Sequence, residues 1–127
     1  MSLLDLFFPR KCPYCLKLIE RGRLECDKCR SEFPKEPYIR TIPSGNECVS
    51  AFMYDSKIRD ALARYKFRGK REFYKSFGAV LANAVAESEI IADMVTSVPL
   101  SKKRLHMRGY NPVSYTHLRA HETGRNL

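Results

Sequence analysis

Residues 94–111 read MVTSVPLSKKRLHMRGYN. The stretch opens as an apolar, β-branched run, Val95-Thr96-Ser97-Val98, which Pro99 stops. Lys102, Lys103, Arg104 and Arg108 follow, and the segment closes on Gly109-Tyr110-Asn111. A short buried strand feeding a basic loop, with glycine where the backbone turns or nears a ligand, is how α/β proteins present phosphate-binding groups. The stretch therefore predicts a strand at 95–98 and a basic loop running on to Asn111. It also fits an ordinary core strand followed by a solvated loop, because charge runs are usually solvated faces.

Upstream, Asp55 or Ser56 can cap a helix over 57–66, with Ile58, Leu62 and Tyr65 on one face. Gly69 breaks that pattern. Between 70 and 86, Phe73, Phe77, Val80, Leu81, Ala84 and Val85 recur at helical spacing and predict a core-facing stripe. The segment from Cys48 to Tyr54 alternates like a strand, and Cys48 reads as a buried core thiol. The order is then strand, two helices, strand, basic loop. That is half of an α/β domain whose parallel strands need crossover helices. Pro34, Pro37, Pro43 and Gly45 mark 32–46 as a connector, with a domain boundary near residue 43.

The N-terminal region carries Cys12-Pro13-Tyr14-Cys15 and Cys26-Asp27-Lys28-Cys29, with ten residues between the pairs. Each Cys-x-x-Cys brings two thiolates from one tight turn to a single tetrahedral ion, and the second pair completes four ligands. A module of about forty residues buries little core, so a metal would supply its folding energy. The spacer leaves room for two short strands between the knuckles. Cys12-Pro13-Tyr14-Cys15 also fits a glutaredoxin-like redox site, but that needs a preceding strand and a helix opening at the cysteines. Here Pro9 and two basic residues precede it. Leu3, Leu4, Leu6, Phe7 and Phe8 form an apolar start expected to pack over the cysteine module.

The formal net charge is +9, of which residues 1–40 hold +3 and residues 41–111 hold +5. Four zinc-bound thiolates would remove most of the first excess, leaving the basic character to the second region. Such a surface suits a phosphorylated sugar or a nucleic-acid backbone. No apolar run approaches the ~20 residues of a membrane span, and residues 1–9 lack the basic start of a signal peptide. The expected location is the cytoplasm, where disulfides are rare.

Taken together, Val98-Pro99-Leu100, the basic cluster with Arg108-Gly109-Tyr110-Asn111, the segment Arg64-Tyr65-Lys66-Phe67-Arg68-Gly69 and the four-cysteine module resemble the ComF family. These are competence-associated, phosphoribosyltransferase-like proteins. The resemblance covers about residues 4–111 and implies three parts. Residues 1–43 would be a zinc-ribbon-like module. Residues 44–111 would be the N-terminal half of a type I phosphoribosyltransferase-like domain. Residues 112–127 would be a non-native tail, since Pro112 stands where the family continues with Gln. Val113–Thr123, VSYTHLRAHET, is similar to translated sequencing-adapter DNA.

The resemblance implies zinc on Cys12, Cys15, Cys26 and Cys29, and phosphoribosyl pyrophosphate with Mg as a ligand of the full-length protein. It places Lys66, Arg68, Lys70, Lys102, Lys103, Arg104, Arg108, Gly109 and Asn111 beside phosphate. Such sites also use an acidic pair and a Thr/Gly-rich phosphate loop. The chain has no Asp-Asp, Asp-Glu, Glu-Asp or Thr-Thr-Gly, so transfer chemistry is not expected of it. The alternative is a module that binds single-stranded DNA, or docks competence-machinery proteins, without catalysis. His117 and His121 have a chelating spacing but fall in the expected tail, and His106 reads as solvated.

Overall fold

The computed structural model describes residues 6–116. Around the first cysteine pair the chain folds back on itself. The Cys12 amide donates to the Lys17 carbonyl at 2.8 Å and the Leu16 amide to Cys12 at 2.9 Å. Lys11 and Leu18 form an antiparallel bridge across this turn. Leu16 takes the left-handed conformation, φ 63°, which closes the knuckle. The second pair is built differently. Helix α1 (Asp27–Ser31) starts immediately after Cys26, whose carbonyl accepts from the Arg30 amide. The spacer, which has room for two short strands, holds only the bridging residue Leu18. A turn at Gly22, closed by the Arg23 amide on the Glu20 carbonyl, takes up the middle of the spacer.

The expected connector also contains structure. Strands β1 (Tyr38–Thr41) and β2 (Glu47–Ser50) pair antiparallel, with Tyr38 opposite Ser50 and Thr41 opposite Glu47. Pro37 and Pro43 flank β1 rather than interrupt it, so no ladder hydrogen bond is lost. Residue 43 falls in the hairpin turn, where Gly45 adopts φ 84° and its amide meets the Ile42 carbonyl. Cys48 is half-buried on β2 rather than a core thiol, because its partner strand β1 is exposed along its length and gives it little cover.

Helix α2 (Ser56–Phe67) is capped by Asp55, which accepts from the Ile58 amide at 2.8 Å. It buries Ile58, Ala61 and Tyr65. A 3-10 turn (Arg71–Phe73) leads into α3 (Tyr74–Glu87). The expected stripe holds at Phe73, Phe77 and Ala84 and is half-buried at Val80 and Leu81, but Val85 is 42% exposed. The core has moved round the helix to Ser76, Gly78 and Ala82.

One core serves both regions. Tyr14, from within the first cysteine pair, packs edge-on against Phe33 at 4.8 Å and Phe77 at 5.7 Å. Phe33 in turn meets Phe52, and Tyr65 stacks on Phe77 at 5.4 Å. Leu6, Phe7 and Phe8 do not join this core but are exposed, and Leu3 and Leu4 lie outside the described residues.

The stretch 95–98 is not a strand. Among the described residues the strands are those of the β1–β2 hairpin, and 95–98 pairs with neither. It runs as irregular chain with Met94 83% and Val98 74% exposed. The parallel α/β sheet expected from the sequence is therefore replaced, in these residues, by mixed helix and antiparallel hairpin.

The basic segment is also not a loop. Lys102–Arg108 forms helix α4, with Ser101 accepting from the Arg104 amide at 3.3 Å and Gly109 in the left-handed C-terminal position, φ 73°. Lys, Arg, Leu and Met are good helix formers, and the serine and glycine mark its two ends. Beyond it Tyr110 is buried, its hydroxyl donating to the Tyr65 carbonyl. Tyr65 donates in turn to Pro112, which is fully buried. The described part of the expected tail, as far as Thr116, is thus packed; His117 and His121 lie outside the described residues.

Candidate metal centre and basic cleft

The knuckle at Cys12–Cys15 and the start of α1 at Cys26–Cys29 bring four thiols together. All four sulfurs lie within 4.8 Å of one another, and those of Cys15 and Cys26 are 3.5 Å apart. Zinc–sulfur bonds near 2.3 Å place the sulfurs of a tetrahedral site about 3.8 Å apart, so this donor set fits zinc. None of the four is in a disulfide. Cys12, Cys26 and Cys29 are buried and Cys15 is exposed, which leaves one side of the centre open to water.

The protein surroundings favour a thiolate at Cys26 but oppose one at Cys12 and Cys29. Burial pushes the Cys12 thiol up, but backbone N–H groups of Cys26, Cys15 and Tyr14 pull it down. The Cys29 amide is the main influence on Cys26, bringing its thiol down to about 7. Burial pushes Cys29 up to about 12. A cation or metal must offset that penalty for Cys29 to ionise. Lys57, at the start of α2, is the nearby cation, and it also pairs with Glu32. The redox alternative lacks its geometry: Cys12 and Cys15 occupy a tight turn, and the helix of this module opens at the other pair.

The predicted phosphate residues divide into two groups. Lys66, Arg104 and Arg108 converge on a cleft of about 380 Å³, lined also by Phe67, Gly69 and Tyr110. The Arg108 guanidinium lies over the Phe67 ring at 4.6 Å, which fixes its direction. Gly109 turns the chain at the end of α4, beside this cleft. The others point elsewhere. Lys102 and Lys103 are exposed on the first turn of α4, and Arg68 is exposed on the α2–α3 loop. Lys70 faces a second cleft and lies 3.9 Å from Glu72. Asn111 accepts from the Val113 amide at 3.2 Å, a local turn contact.

Sequence reasoning missed Arg71 and Arg64. The Arg71 guanidinium lies over the Tyr110 ring at 4.8 Å and reaches the Gly109 carbonyl. Arg64 donates to the Pro13 carbonyl at 3.1 Å. Neither contact has a sequence signal, since each joins segments tens of residues apart. The second cleft, about 720 Å³, lies between the cysteine module and α3. It is lined by Phe7, Phe8, Arg10, Lys11, Lys70 and Lys75, among others.

A family model described as a double zinc ribbon domain matches residues 3–40, 38 of the chain's 127. That span contains the four clustered cysteines, which form one such site among the described residues. Neither the curated proteins nor the solved structures give a match. Among the described residues no helix is long and apolar enough to cross a membrane. The chain thus carries, at its N-terminus, a zinc-ribbon-like module whose four cysteines are positioned to bind a zinc ion.

Proposed function

We propose that the zinc module stabilises a basic cleft that binds a phosphorylated ligand, in a ComF-like, phosphoribosyltransferase-related protein linked to DNA uptake. On this reading residues 44–111 are part of a phosphoribosyltransferase-like domain. One observation carries the reading: Lys66, Arg104 and Arg108, on two separate helices, face one cleft beside the Gly109 turn. Three cations and a glycine backbone suit the pyrophosphate end of phosphoribosyl pyrophosphate, which Mg would accompany. Zinc would hold the fold and take no part in transfer. Reduced thiols at the metal centre suit a cytoplasmic setting.

Calorimetric titration with phosphoribosyl pyrophosphate and Mg tests this. Saturable one-to-one binding is expected, weakened at least about tenfold by Arg108→Ala, since a charge-assisted contact contributes ~1.5–3 kcal/mol. No binding, or binding indifferent to Arg108 and Lys66, would overturn it.

The second reading is single-stranded DNA binding, favoured by the larger cleft. Exposed Phe7 and Phe8 stand there beside Arg10, Lys11 and Lys75, a mixture that suits base stacking and phosphate pairing. Affinity for an oligonucleotide that falls steeply with salt, and is lost in Phe7→Ala/Phe8→Ala, would favour it.

A further inference from the structure

Three consecutive residues of α2 face three different neighbours. Arg64 donates from Nη1 to the carbonyl of Pro13, which sits between two of the zinc ligands. The next carbonyl, that of Tyr65, accepts from the Tyr110 hydroxyl just past the Gly109 turn. Lys66 then lines the basic cleft opposite Arg104 and Arg108. Pro13 is fully buried and the bond to its carbonyl is part-buried, so the guanidinium is its partner on the protein side. Tyr65 is likewise buried and stacked on Phe77, so α2 is held in a close-packed setting. In such a core a shift of the knuckle backbone passes to the helix instead of being absorbed locally.

We propose that Arg64 is a positioning residue that couples the cysteine centre to the basic cleft. Metal in the one and a pyrophosphate group in the other then raise each other's affinity. The inference rests on the reading of the cleft as a phosphate site. By linkage the factor is the same in both directions.

Cobalt-loaded protein tests this, because cobalt–thiolate charge-transfer bands report directly on the cysteine centre. Inorganic pyrophosphate is the probe. In the parent protein, pyrophosphate is expected to shift those bands and to tighten cobalt by about fivefold or more in chelator competition, the low end of ordinary couplings. Cobalt should tighten pyrophosphate equally. In Arg64→Met both ligands should still bind, since Arg64 belongs to neither set, but both factors should fall towards one. Arg64→Lys should restore part of the coupling. Tyr110→Phe, which removes the hydroxyl at the other end of the path, should also lower it, and it decides the matter if Arg64→Met does not fold. An unchanged factor in Arg64→Met, or in Tyr110→Phe where that variant decides, overturns the proposal. So does a parent protein in which the two ligands bind independently. Pyrophosphate that fails to bind metal-loaded parent protein defeats the cleft reading and the coupling with it. Binding without coupling defeats the coupling alone.

Discussion

Cys29 is almost wholly buried, and burial holds its thiol near 12, well above the range in which a free cysteine ionises. Only a cation or metal makes such a sulfur an anion at neutral pH. Cys29→Ser should therefore abolish stoichiometric zinc in metal analysis and lower the melting temperature by roughly 10 °C or more, since zinc binding is folding energy here. Zinc affinity should also rise with pH, because protonated thiols must release protons to bind. Tyr65 gives a second pH test. Burial pushes its phenol up to about 12, against the Thr116 hydroxyl that pulls it down. A folded value above the unfolded one means stability is intact below pH ~10 and is lost as pH rises towards 12. Ultraviolet titration should show a late-ionising fraction, Tyr14, Tyr65 and Tyr110, that titrates together with loss of helix signal; a titration complete near pH ~10 would contradict this burial. At this scale the cysteines were legible in the sequence, because two Cys-x-x-Cys pairs leave little else for four thiols to do. The cations were not. Lys66 and Lys70 lie four residues apart, yet they line different clefts, and charge alone carries no direction.

Helices α2 and α3 were readable because their apolar residues recur at the helical period over more than two turns. Helix α4 was not, since five of its seven residues are polar and Leu105 and Met107, two apart, make no helical stripe. The strand at 95–98 was misread because a β-branched run becomes a strand only beside another strand. Two stability measurements follow from how the elements pack. Phe77 is buried against Tyr14 and Tyr65, so Phe77→Ala should cost about 3–5 kcal/mol in urea denaturation, whereas Val85→Ala on the same helix should stay within ~0.5 kcal/mol. Gly109→Ala should cost about 1 kcal/mol, because the left-handed turn that ends α4 strains any side chain, although 3.7 Å to Arg71 leaves room for the methyl.

For the molecule as a whole, the cysteine module and the helices share one aromatic core. Metal loss should therefore be seen in helix content as well as near the cysteines, and chelation followed by far-ultraviolet circular dichroism checks this. One surface stretch is a weak point of the fold. Ile91, Met94, Val95 and Val98 stand largely bare along one irregular stretch. Apolar patches of this kind drive association, so sedimentation should show mass rising with concentration, relieved by Ile91→Ser/Val98→Ser. Residues 88–101, which contain that stretch, hold no helix or strand and form a fourteen-residue leash between α3 and α4. A short leash keeps its free end at millimolar local concentration around its docking site. The Arg108 contact with Phe67, and the Tyr110 contacts with Arg71 and Tyr65, thus suffice to seat α4 and the turn that follows it.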